Sequence, residues 1–231
     1  MSEEPERERK PGARYPTYVG IAFLAFIVYV TVNTIRTDEP GLLGADPTER
    51  GRPLPEFAVP DLRGDLEGDA NIFQDDCEIG QNPCPEDRRR IPACQVAEQG
   101  AIRICDLFDR PLAISFWFTR GGDCLPTQDV FAKVAERYGD RINFLSLNVR
   151  DERDEALAIV TEHGWELPVG WDRDGAVSNI YAVGVCPTVA LAYPGGILDR
   201  AVIGSEALTE PKLTDAMDAL IEASRERAEA S

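Results

Sequence analysis

Histidine is almost absent from this chain. The 231 residues contain one, His163, which excludes a metal centre built on several imidazoles. A Ser-His-Asp triad would have to use that same residue, and nothing around it supplies the rest. His163 stands just after Glu162, where a helix C-terminus welcomes positive charge, so its position favours a cap over a ligand or base. Basic residues are also short: 24 Lys and Arg against 41 Asp and Glu give a formal charge of -17, which opposes nucleic-acid binding. That acidity reads as a solvated surface, and no nucleic-acid partner is expected. The six cysteines contain no pair spaced C-x₂-C, so the commonest zinc signature is missing, and no metal or cofactor is expected. Six cysteines instead suit an oxidising compartment.

Charge is missing altogether from Tyr15 to Ile35, a run of 21 residues. As a helix rising ~1.5 Å per residue it spans ~30 Å, about one hydrocarbon core. Tyr15 and Tyr18 stand at one end of the run, at interface depth. Arg7, Arg9, Lys10 and Arg14 precede it, whereas Arg36 and Arg50 are the nearest basic residues after it, a bias that puts the N-terminus inside and the rest outside. No small-x-small cleavage site follows around Thr31-Val32-Asn33, so the run reads as a retained signal anchor in the lipid bilayer. The expected organisation is a cytoplasmic tail over 1–14, a transmembrane anchor over 15–35, a linker over 36–52 and an extracytoplasmic domain over 53–225.

Apolar periodicity is scarce from 64 to 110, a segment holding Cys77, Cys84, Cys94 and Cys105. So few core residues call for covalent staples. Residues 93–96 and 102–105 read as two short strands around a Gln99-Gly100 turn, which sets Cys94 opposite Cys105; Cys77 and Cys84 then close a small loop. This is one of three connectivities for four cysteines, and a four-cysteine zinc site is the alternative.

The remaining pattern is α/β. Pro111 to Phe118 and Arg141 to Val149 read as strands buried on both faces, with Ile142 and Phe144 opposite Leu145, Leu147 and Val149. Phe57 to Leu62 reads as an edge strand. Helices are expected over 128–138, 152–162 and 175–183, a hairpin over 189–203, and a last helix capped by Thr209 with Pro211 in its first turn. Between the first long strand and its helix lies Arg120-Gly121-Gly122-Asp123-Cys124. A strand that delivers a thiol to a helix N-terminus suits redox chemistry, because the dipole and free N–H groups favour the thiolate.

Phe116-Trp117 entering the glycine turn, Glu162-His163-Gly164-Trp165 with Pro168, Asp172-x-Asp174-Gly175, and Tyr181-x-Val183-Gly184-Val185-x-Pro187-Thr188 together resemble the thioredoxin superfamily. The likeness is to its membrane-anchored TlpA/ResA-like branch, over roughly 53–222 with the 64–110 insertion. It implies a thioredoxin-like fold, a central mixed sheet flanked by helices, and a cis bond at Pro187. It also departs from the family pattern. Gly121 stands where the family has its first, nucleophilic cysteine, Arg120 where it has a second Trp, and Cys124 matches only the second cysteine. Cys186, just before the proline, lies in this fold against the active-site turn.

Three readings follow. In the first, Cys124 and Cys186 form a relocated catalytic pair in a thiol–disulfide oxidoreductase acting on protein thiols or disulfides, with a membrane electron donor. Pro187 and Thr188 then form a docking edge for an extended substrate, with Trp117 and Arg120 beside it, and Arg120 lowers a thiolate pKa. In the second, the domain is a redox-inactive binding scaffold, with the stapled insertion as its recognition surface. The third is a peroxiredoxin-like peroxidase, weakened because Gly121 replaces the threonine that motif requires.

Overall fold

A computed structural model describes residues 18–20, 23–29, 50–67, 92–120 and 124–230. The chain divides into two units, Met1–Glu39 and Pro40–Ser231. In the first, residues 18–20 and 23–29 are helical, with Phe23, Leu24 and Phe26 exposed. Among the described residues no helix is long and apolar enough to cross a membrane, and much of the 15–35 run lies outside them.

The second unit is built on a five-stranded sheet. Its strands in chain order are β3 (Leu112–Trp117), β4 (Asn143–Val149), β5 (Val169–Asp172), β6 (Thr188–Tyr193) and β7 (Ile197–Ile203), arranged β5-β4-β3-β6-β7. The β3–β4 and β4–β5 pairs are parallel, while β6 and β7 join antiparallel. Every residue of β3 and β4 is buried, as interior strands covered on both faces require. Strand alternation sorts their side chains. Leu112, Ile114, Phe116, Leu145, Leu147 and Val149 face one core, whereas Ala113 and Phe144 face the other.

That second core lies under α1 (Leu125–Tyr138) and α4 (Glu210–Glu229), which contribute Phe131, Val134, Leu213 and Met217. Pro126 opens α1 and Gly139 closes it, while Thr209 and Pro211 start α4. α4 runs on to Glu229, past the expected boundary at 225, carrying charged residues into solvent. The short α2 (Arg153–Glu162) buries Ala156 and Val160 in a third cluster with Trp117, Trp165 and Trp171. Its C-cap is His163, whose Nδ1 lies 2.7 Å from Asp129 Oδ1.

The first face is covered by α3 (Ala176–Ile180) and by the chain entering the domain. Residues 51–62 cross that face as a strap. At one end Gly51 N–H donates to Leu198 C=O and Pro53 bridges Ile197, on the outer side of β7. At the other, Asp61 bridges Gly170 and Leu62 N–H donates to Val169 C=O, on the outer side of β5. Between them β1 (Ala58–Pro60) presses Val59 onto Gly170, where an added Cβ would lie 2.5 Å from Val59 Cγ2.

The cysteine-rich segment departs from expectation. Cys94 and Cys105 are bridged, with Cα atoms 5.6 Å apart, but they do not face each other across a hairpin. Ala93–Gln95 and Ile104–Leu107 are 3-10 turns, and β2 (Ala101–Arg103) pairs antiparallel with β1, setting Val59 opposite Ile102. Residues 93–96 bury only Ala93, too little apolar surface for a strand, whereas β1 brings Val59 to the core beside Ile102. The expected Cys77–Cys84 loop lies outside the described residues.

Candidate redox site

The register of β3 against β6 creates the site. Phe116 pairs with Thr188 in antiparallel sense, so the chain leaving β3 and the chain entering β6 meet at the same end of the sheet. β3 delivers Phe118, Thr119 and Arg120, and the chain re-enters the described residues at Cys124, the N-cap of α1. The β6 side delivers Val185, Cys186 and a cis Cys186–Pro187 bond. Cys124 and Cys186, 62 residues apart in sequence, are joined in a disulfide with Cα atoms 5.7 Å apart.

Asp172 and Asp174 prepare the loop that carries Cys186. The Asp172 carboxylate accepts the Val177 and Ser178 N–H groups at 3.0 and 2.8 Å, and Asp174 accepts the Ala176 N–H at 2.9 Å. Gly175, at φ 79, makes the turn into α3. Burial pushes the Asp172 carboxyl above the usual carboxylate range, against the opposing pull of its two N–H donors. Tyr181 ends α3 fully buried against Phe57 and Phe116, its hydroxyl donating to Pro55 C=O.

Two polar arrangements beneath the cysteines escaped the sequence reading. Ser115 Oγ donates to Gln128 Oε1 (2.6 Å), Gln128 Nε2 donates to Ser146 Oγ (2.9 Å), and Trp117 Nε1 donates to the same oxygen (2.8 Å). Ser115 and Ser146 are register partners on adjacent strands. A serine breaking each apolar run was the signal that could have revealed this. In the second, Asp151 accepts from Thr119 N–H (2.9 Å), Thr119 Oγ1 (2.6 Å) and Asn148 Nδ2 (2.7 Å), which anchors the outgoing end of β3.

The other expected site residues divide. Arg120 is exposed beside the site. Trp117 is not a docking surface: it is fully buried, edge-on to Trp165, because its position in β3 points it toward α1 and α2. Thr188 is fully buried too, and its strand is paired on both sides, with Phe116 and with Ile203, so no free edge exists there for strand addition. Pro187 is buried and its C=O accepts the Gly204 N–H. The reachable backbone of this loop is at 184–186, where Gly184 and Val185 are exposed and Cys186 is half-buried.

No family model matches the chain. It is similar to the thiol-disulfide oxidoreductase ResA of Oceanobacillus iheyensis, 27% identical over 48% of this chain and 58% of that protein. ResA of Bacillus subtilis is 26% identical over 51% of this chain and 65% of its own length. In both cases the match spans less than two thirds of the relative. Among solved structures, a DsbF homologue from Corynebacterium diphtheriae superposes with TM-score 0.54 at 17% identity, covering 76% of this chain and 90% of that one. The thioredoxin domain of a thiol-disulfide oxidoreductase from Bacteroides vulgatus gives 0.52 at 12% identity, covering 74% and 97%. The parallel β3–β4–β5 core, the antiparallel β6–β7 hairpin and the cis-proline loop against an α1 N-terminus agree with these likenesses: the chain has a thioredoxin-like α/β fold and is similar in sequence to the ResA thiol-disulfide oxidoreductases.

Proposed function

We propose that this chain is a membrane-anchored, extracytoplasmic thiol–disulfide oxidoreductase whose working disulfide is Cys124–Cys186. The observation that carries the reading is the position of the bridge, which ties a helix N-terminus to the cis-proline loop at the end of the sheet. That position lets the fold favour a thiolate when the bridge opens. The pair supplies within one domain the two sulfurs that exchange requires, although Gly121 carries no thiol. The names of the ResA relatives support this chemistry, and protein thiols or disulfides are the corresponding substrates. The uncharged run 15–35, the basic residues before it and the Cys94–Cys105 bridge support an outward-facing domain drawing on a donor in the membrane.

A redox-inactive binding domain is the second reading, favoured by the glycine at 121. The two separate in a non-reducing peptide map taken across a series of glutathione potentials. Opening of Cys124–Cys186 well above about -300 mV, with Cys94–Cys105 still closed, supports the oxidoreductase. A bridge that resists reduction as strongly as Cys94–Cys105 leaves the binding domain as the function.

A further inference from the structure

The two sulfurs of the bridge are not equivalent. Cys124 is 1% exposed and belongs to the buried cluster of Trp117, Ala132 and Trp165. Cys186 is half-buried, on a loop whose preceding residues Gly184 and Val185 are exposed, Val185 to 43%. Displacement at a disulfide is in line: the incoming thiolate reaches the attacked sulfur from the side opposite the one that leaves, so access decides which sulfur is attacked. Cys124, almost wholly covered, offers no open side for that approach. Cys186 does. The leaving sulfur is governed by a different quantity, the stability of its thiolate. Here the order reverses, because Cys124 caps the 14-residue α1, whose first turn contains no acidic residue to offset the helix dipole. Cys186 leads into a strand and caps no helix. Both quantities point the same way. Backbone placement agrees: among the described residues nothing pairs with the N–H and C=O of Cys186, and the two residues before it are exposed.

Resting on the redox reading above, we infer that Cys186 is the sulfur that exchanges with substrate and Cys124 the sulfur that leaves and returns. In the oxidising direction a substrate thiolate attacks Cys186 Sγ. The new bond joins substrate sulfur to Cys186, the Cys186–Cys124 bond breaks, and its electron pair departs on Cys124 as a thiolate. A second thiolate of the same substrate then attacks the substrate sulfur of the mixed disulfide and expels Cys186 as a thiolate. The substrate has lost two electrons and formed a disulfide; the Cys124–Cys186 pair has gained them. In the reducing direction the same steps run backwards. The Cys186 thiolate attacks a substrate disulfide and Cys124 closes the bridge, so the mixed disulfide sits on Cys186 in both directions. Val185, the exposed apolar neighbour, flanks the incoming chain.

The test uses the oxidised full-length chain with reduced glutathione as the probe. The reaction is quenched with acid within its first turnover, and the glutathionylated peptide is located by mass mapping. Glutathione on the Cys186 peptide is the expected result; glutathione on the Cys124 peptide overturns the assignment. A bridge that never opens overturns it together with the redox reading, and this outcome is distinguishable because no adduct forms on either peptide. Two variants give an independent measure against oxidised glutathione. C124S, which retains Cys186, is expected to form its adduct at least about tenfold faster than C186S, which retains the covered Cys124. Equal rates, or a faster C186S, overturn it as well. The wild-type map needs no substitution, so a variant that folds poorly does not spoil the test.

Discussion

Gln128 is 1% exposed and links Ser115, on β3, to Ser146, on β4, four residues beyond the cysteine at the head of α1. Replacing it by Leu keeps the side chain's approximate volume but removes both of its hydrogen bonds. Ser115 Oγ, itself 2% exposed, is then a buried donor without an acceptor, which costs about 1–3 kcal/mol. Ser146 loses one donor but still accepts from Trp117 Nε1, so its share is smaller. Gln128→Leu should therefore destabilise the oxidised domain by about 2–3 kcal/mol. The sharper expectation concerns the pair. Adding Ser115→Ala to Gln128→Leu removes the orphaned hydroxyl, so the double variant should regain about 1 kcal/mol over Gln128→Leu alone, a coupling of opposite sign to simple additivity. Urea unfolding followed by tryptophan fluorescence measures both, since Trp117 belongs to the network. A Gln128→Leu variant within ~0.5 kcal/mol of wild type, or a double variant less stable than Gln128→Leu alone, would show that Gln128 does not tie the two serines together.

Three other perturbations read neighbouring features. Asp151→Ala removes the acceptor of both Thr119 bonds and of Asn148 Nδ2; because Asn148 Oδ1 has no partner among the described residues, the Asn148 side chain then has no hydrogen bond to any of them. A loss of about 3 kcal/mol in denaturant unfolding is expected, and a loss below ~1 kcal/mol would show that the carboxylate is not the anchor. Burial holds the Tyr181 hydroxyl well above its ordinary range, so the unfolded chain releases that proton first as pH rises. The stability it contributes is complete below about pH 10 and is lost above it; Tyr181→Phe should flatten that alkaline decline while costing about 1–2 kcal/mol at neutral pH for the unpaired Pro55 carbonyl, both read from melts across pH. Gly170→Ala places a Cβ 2.5 Å from Val59 and 2.7 Å from Leu147, so overpacking of about 1–3 kcal/mol and faster amide exchange at 57–59 are expected; an unchanged melt would mean that the strap yields freely.

What the sequence disclosed depended on how far each feature's cause extends along the chain. β3 and β4 were legible because an interior parallel strand writes both of its buried faces into consecutive residues, and the alternation of Ile142 and Phe144 against Leu145 and Leu147 survives intact in the two cores. Cys94 and Cys105 meet without the hairpin that the Gln99-Gly100 turn suggests, since the partner of β2 is β1, some forty residues upstream, and no local turn signal reports such a pairing. The meeting of Cys124 with Cys186 came from family resemblance, and the β3–β6 register supplies its cause. Trp117 and Thr188 read as docking residues from their motif position, which does not say which side of a strand looks outward, and both are buried. The Gln128 network was hidden for a related reason: a polar residue on a helix reads as solvated until the strands beneath it are known to carry serines.

The strap has a consequence for the order in which this chain becomes a domain. Its two ends fasten to strands made much later, Pro53 to Ile197 and Asp61 to Gly170. During synthesis residues 51–62 emerge ahead of the sheet, yet they have nothing to fasten to until β5 and then β7 have left the ribosome. The segment that opens the domain is thus among the last to settle, and Phe57 and Val59 stay open to water or to a chaperone during the wait. Once fastened, the same twelve residues lie along part of both outer strands, so a nascent neighbour that could have added to either sheet edge meets a place already taken.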